Sequence, residues 1–132
     1  AKITEATVQS RTVVGQPLTG VPKWSGSATA QYSIPLGNRT AFIRGQLEYT
    51  GGRTSFNNVA PPAGRPLDGY SVLNLRAGAD QGPWELTLFL QNVLDKRGVI
   101  GDLIPEGSEL AGRPKLFVVR PRTVGLQLRR QF

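Results

Sequence analysis

From Trp24 to Leu36 the chain alternates without a break: Trp24, Gly26, Ala28, Ala30, Tyr32, Ile34 and Leu36 are interleaved with Ser25, Ser27, Thr29, Gln31, Ser33 and Pro35. A second run sets Ala41, Ile43, Gly45, Leu47 and Tyr49 against Thr40, Phe42, Arg44, Gln46, Glu48 and Thr50. A third opposes Leu73, Leu75, Ala77 and Ala79 to Val72, Asn74, Arg76 and Gly78. The fourth opposes Trp84, Leu86, Leu88 and Leu90 to Glu85, Thr87, Phe89 and Gln91. The fifth opposes Val124, Leu126, Leu128, Arg130 and Phe132 to Thr123, Gly125, Gln127, Arg129 and Gln131. Period 2 places successive side chains on opposite faces of a sheet, so each run predicts a strand. Gly37-Asn38 and Asp80-Gln81-Gly82-Pro83 have the composition of tight hairpin turns.

The two sets of positions differ sharply. On the first face 22 of 25 residues are apolar or aromatic, and Arg130 carries its one charge. On the second face 3 of 25 are apolar, namely Phe42, Val72 and Phe89, and five are charged: Arg44, Glu48, Arg76, Glu85 and Arg129. A sandwich also has two faces, so three further features bear on the class. Two of the strands run to about 12 residues, longer than the usual strand of about 5–6 and enough for a tilted membrane strand of about 9–11. Connections alternate between tight turns and the long Gly/Pro-rich stretches 51–68 and 96–120, the asymmetry of a transmembrane barrel. Trp24, Tyr49, Trp84 and Phe132 stand at the ends of the apolar stripes, where aromatic girdles fall. The predicted fold class is all-β: a segment of an antiparallel transmembrane β-barrel with about five full strands, long extracellular loops and short periplasmic turns. Residues 1–22 read as the tail of an earlier strand and a loop, and 23–132 as the last five strands.

Composition narrows the chemistry. With no Cys and no His among 132 residues, thiol nucleophiles, Cys-based metal sites and Ser-His-Asp triads are excluded, and no enzyme is predicted. There is no phosphate-loop pattern. No run of 18 apolar residues exists to make a membrane-crossing helix, which says nothing about strands. Asn92 and Asp95 make a poor metal site, since calcium takes 6–8 oxygens; a turn at a strand end is expected. Asp102, Glu106 and Glu109 read as a solvated loop, and the five charges of the polar face as a wetted barrel interior with weak cross-strand pairs. No catalytic residue, cofactor or metal is predicted. A net charge of +7 with 12 Arg makes a soluble basic β-protein that binds nucleic acid or carbohydrate the alternative. Against nucleic acid, the basic residues are dispersed, and the aromatics sit mainly on the apolar face rather than among the arginines.

The order and wording of the segments resemble the C-terminal end of a TonB-dependent outer-membrane receptor. Gly15-Gln16-Pro17-Leu18-Thr19-Gly20-Val21-Pro22-Lys23 is similar to the family's connector before a late strand. Gly69-Tyr70-Ser71-Val72-Leu73-Asn74-Leu75-Arg76-Ala77-Gly78 is similar to the third-from-last strand. Trp84-Glu85-Leu86 through Asn92-Val93-Leu94-Asp95-Lys96-Arg97 resembles the penultimate strand and its Asn-x-x-Asp end. Arg120-Pro121-Arg122-Thr123-Val124-Gly125-Leu126 to Phe132 resembles the closing strand. Two positions depart from the family pattern. Gly98 stands where an aromatic is frequent, and Arg130 where an aromatic or apolar residue is usual, although an Arg near a membrane edge can snorkel its charge into the headgroups.

The resemblance implies part of a barrel of about 22 strands with an N-terminal plug. It also implies location in the cell outer membrane and TonB-energised uptake of a scarce solute such as a ferric siderophore. This segment would supply barrel wall, external loops and the terminal assembly strand, with Val124, Leu126, Leu128 and Phe132 as the stripe read by the barrel assembly machinery. The implied partners are outer-membrane lipid, the remainder of the barrel and the plug, and TonB through the plug, with no nucleic acid. Independently, an open sheet of five or six strands has two edges that lipid cannot satisfy. The chain is therefore expected to be a piece of a longer polypeptide, the alternatives being a share of a multi-chain barrel or a sheet held outside lipid.

Overall fold

The computed structural model describes residues 15, 18–55, 65–103 and 115–132. Among them are nine strands and no helix: β1 Ser25–Leu36, β2 Arg39–Thr50, β3 Arg53–Thr54, β4 Pro66–Leu67, β5 Tyr70–Gln81, β6 Trp84–Gln91, β7 Val99–Leu103, β8 Lys115–Val118 and β9 Thr123–Arg130. The five strands predicted from alternation form one sheet in chain order, β1-β2-β5-β6-β9, with boundaries within two residues of the predicted runs. The class is all-β as expected, and the sheet is open, with β1 and β9 as its edges among the described residues. The expected strand tail in residues 1–14 lies outside them.

Both tight turns owe their shape to glycine. Gly37 has φ +67° and Gly82 φ +57°, each at the first central position of a two-residue turn, the place where a II′ turn requires Gly. Pro83 then suits the second position, where φ near −65° is wanted. In the β5/β6 hairpin Gln81 pairs with Trp84, Ala79 with Leu86 and Ala77 with Leu88. In the next pair Leu86 meets Leu128, Leu88 meets Leu126 and Leu90 meets Val124. The register therefore keeps the Leu, Ala and Val of the stripe opposite one another, while Trp84 at its end stands opposite Gln81 and Arg130.

Expectation and structure differ in the long connections, which hold small ladders of their own. β3 pairs antiparallel with β4, and β7 with β8, in two separate two-stranded sheets. The segments Val99–Leu103 and Lys115–Val118 carry β-branched and aromatic residues, and pairing satisfies their backbone groups. The chain divides into two compact units. One holds Gly26–Tyr49, Ser71–Arg97 and Arg120–Phe132, hence most of the five-stranded sheet. The other includes Thr50–Tyr70 and Gly98–Val119, hence the two small ladders. In that second unit the Arg53 guanidinium donates to the carbonyls of Val99 and Ile100 and lies 5.9 Å from the Tyr70 ring. The Tyr70 ring in turn fills the space over Gly98, the position where the family pattern favours an aromatic.

In the sheet unit, one buried side chain organises the end of β6. Asn92, 2% exposed, has left-handed backbone with φ +49°, a conformation Asn tolerates. Its amide nitrogen donates to the carbonyls of Lys96 (3.0 Å) and Arg120 (2.8 Å), and its Oδ1 accepts from the Lys96 N–H (2.9 Å). Its own backbone N–H donates to Asn74 Oδ1 at 2.9 Å. Asp95 Oδ1 accepts the Arg122 N–H at 3.0 Å. The predicted Asn-x-x-Asp turn is therefore also a clamp holding both ends of the 96–120 connection.

Two of the three apolar exceptions on the polar face are explained by glycines on the neighbouring strand. The Phe89 ring lies over its partner Gly125, and the Phe42 ring over Gly78. An aromatic covering a cross-strand glycine restores packing that the missing side chain would leave open.

A Gly125→Ala Cβ would collide with the Phe89 ring, whereas Gly45→Ala meets one Leu75 methyl at 3.5 Å. Urea unfolding of the folded protein is expected to show a loss of about 1–3 kcal/mol for Gly125→Ala and a change within about 0.5 for Gly45→Ala; equal effects would contradict the seating of the ring. Asn92→Ala strands two carbonyls and one N–H, and a loss of about 2–4 kcal/mol is expected in the same assay. The Arg122 N–H, with the charges of Arg97 and Arg122, holds the Asp95 carboxyl below its ordinary range. Its stabilisation is present above the unfolded-state value and fades as pH falls through the lower folded-state value. Below about pH 4, wild type should lose stability more steeply than Asp95→Asn, and parallel acid limbs would contradict the assignment.

Candidate functional site

The polar face of the sheet unit holds a depression of about 260 Å³ lined by Gln31, Phe42, Arg44, Arg76, Glu85, Thr87 and Gln127. Strand alternation places them there, since all occupy polar-face positions of β1, β2, β5, β6 and β9. Arg44 Nε donates to Gln31 Oε1 at 2.7 Å. Thr87, 6% exposed, donates its hydroxyl to Glu85 Oε1 at 3.3 Å. The other oxygen of Glu85 faces Arg129 at 4.0 Å, and the two residues are register partners. Glu48 stands apart, accepting from Gln46 Nε2 at 2.9 Å. Of the five charges predicted for this face, Arg44, Arg76 and Glu85 thus meet at one depression, and Arg129 joins through Glu85.

The lining offers two guanidinium groups, one carboxylate and three neutral polar side chains, with no pair set up for proton transfer. Among the described residues no group of three or more metal-ligating side chains comes together. Glu106 and Glu109 of the acidic loop lie outside the described residues. Both carboxylate oxygens of Asp102 are buried with no hydrogen-bond partner among the described residues.

The opposite face reverses the order of a soluble protein. Leu86, Leu88, Val124, Leu126 and Leu128 are each exposed, at 48%, 52%, 66%, 67% and 62%, while Val72 and Thr87 of the polar face are buried. Trp24, Tyr49, Trp84 and Phe132 are all exposed, each at or beside a strand end. Trp24 stands one residue before β1, where its carbonyl accepts the Gly51 N–H at 2.8 Å. Sequence reasoning missed what surrounds Arg130. Its guanidinium lies 5.1 Å from the Trp84 ring and 4.8 Å from the Phe132 ring. Charge on an apolar stripe was the visible signal; the convergence of the rings needed the register.

Residues 3–93 match the family described as TonB dependent receptor-like, beta-barrel. No curated protein and no solved structure matches the chain. The match takes in β1, β2, β5 and β6, whereas the closing-strand motif at 120–132 lies beyond it. Members of the family are outer-membrane transporters and not enzymes. The chain belongs to the TonB-dependent receptor family, as a portion of its β-barrel.

Proposed function

We propose that the five-stranded sheet is outer-membrane barrel wall, with its apolar face against lipid and its Arg44–Arg76–Glu85 face toward a wet lumen. The observation that supports this most strongly is the exposure of Leu86, Leu88, Val124, Leu126 and Leu128 opposite a face that buries Thr87. A soluble sheet would bury those leucines under a second layer. In lipid they are already in their preferred solvent, and the polar groups turn to the lumen. Trp24, Tyr49, Trp84 and Phe132 are then girdle residues at the two membrane surfaces. β1 and β9 pair with the other strands of the barrel, and β9 presents the stripe Val124, Leu126, Leu128 and Phe132 to the barrel assembly machinery. The two long connections with their small ladders are external. The receptor as a whole takes up a scarce solute such as a ferric siderophore, driven by TonB through the plug that fills the lumen.

The absence of native cysteine makes the orientation directly measurable. Single cysteines at Leu126, Gln127, Leu128 and Arg129, in the receptor as the cell assembles it, can be labelled with a fluorophore. Labels at 126 and 128 are expected to be quenched by spin-labelled lipid, and labels at 127 and 129 by iodide in water. Quenching without period-2 alternation would contradict the wall. Leu88→Arg is expected to cost about 2–4 kcal/mol of folding stability in bilayers, and Gln127→Arg well under 1. For the solute, loss of ferric-siderophore uptake on deleting the receptor supports that choice, and undiminished uptake contradicts it.

A further inference from the structure

Arg130 is the one charge among the 25 positions of the apolar face. It pairs in register with Trp84, the first residue after the Gly82-Pro83 turn, and the Gln131 N–H bonds to the Pro83 carbonyl at 2.8 Å. The guanidinium is therefore at the tight-turn end of the sheet. Two rings hold it, Trp84 at 5.1 Å and Phe132 at 4.8 Å, both within the reach of a cation–π contact of about 6 Å. Rings attract the cation but supply no oxygen for its in-plane N–H donors. The neighbouring Arg129 has its carboxylate, Glu85, on the other face. Among the described residues no carboxylate is within ion-pair reach of Arg130. An oriented guanidinium without an anion, at the end of an apolar stripe, has the complement of an oxyanion that carries hydrocarbon with it.

We propose that Trp84, Arg130 and Phe132 form a phospholipid-headgroup site. Arg130 holds the phosphodiester of a lipid in the leaflet on the tight-turn side, with acyl chains along the Leu86–Leu128 and Leu88–Leu126 pairs. The site rests on the wall reading, since only a sheet in a bilayer meets lipid there. A free phosphate offers the same charge but leaves the leucine stripe unused.

The test is native mass spectrometry of the receptor as the cell assembles it, in detergent titrated with phosphatidylglycerol. Wild type is expected to retain lipid, and Arg130→Gln to bind it about fivefold more weakly, the scale of one lost guanidinium–phosphodiester hydrogen bond. Arg130→Lys, which keeps the charge without the fork, should recover part of the loss. Arg39→Gln is the control: it removes an equal charge beside the other tight turn, Gly37-Asn38, and should leave retention unchanged. Equal retention by wild type and Arg130→Gln, an equal loss in Arg39→Gln, or displacement of the lipid by millimolar inorganic phosphate would each overturn the site. These outcomes separate from the wall reading. Alternating cysteine quenching with no effect of Arg130→Gln removes the site alone, whereas quenching without alternation removes the wall and the site with it.

Discussion

The pleat of β6 and β9 sends Leu86, Leu88, Leu126 and Leu128 to one side of the sheet, and the ladder between the strands keeps Leu86 opposite Leu128 and Leu88 opposite Leu126. Slipping either strand by one residue would exchange the whole stripe with Thr87, Gln127 and their neighbours. Moving one such side chain from water to apolar surroundings is worth about 1.5–3 kcal/mol. These four remain half to two-thirds exposed, so their combined deficit in water is a large share of a domain's usual stability of about 5–15 kcal/mol. On the proposed wall reading an apolar medium removes that deficit, and the placement of the aromatics, turns and charges accords with it.

The same constraint accounts for the devices at the sheet's ends. At the tight-turn side the chain must reverse in two residues without leaving backbone groups unpaired, which Gly37 and Gly82 achieve with positive φ. At the other side the 96–120 connection leaves the strands and comes back, and its two ends need fixed anchors. Asn92 supplies them by satisfying Lys96 and Arg120 with one buried amide, and Asp95 adds the Arg122 N–H. Polar clamping of this kind suits a strand end better than an apolar contact, because the backbone groups there have lost their ladder partners.

Most of the sheet was legible in the sequence because its rule is local: period 2, tight turns and a face split can be read from neighbours. What escaped depended on residues far apart in the chain. β3 and β4 are two residues each and twelve positions apart, too short for periodicity to register. The Asn92 turn was visible, but its partner Arg120 is 28 residues away. Phe42 and Phe89 were visible as apolar residues on the polar face, but the glycines they cover lie on neighbouring strands, 36 residues on in each case. Arg130 was visible as an anomaly, and its meaning came only when register set Trp84 beside it. For the polar face, the residue types were legible and the depression joining Arg44, Arg76 and Glu85 was not, because it depends on how the strands line up across the sheet.

If the sheet is barrel wall with neighbours on both edges, amide hydrogen exchange in the assembled protein reads it out at those edges. The outward-facing amides of β1 and β9 are then expected to exchange as slowly as those of β5 and β6, because each edge is bonded to a further strand in a medium without water. Fast exchange along either edge beside a protected β5/β6 hairpin would contradict it.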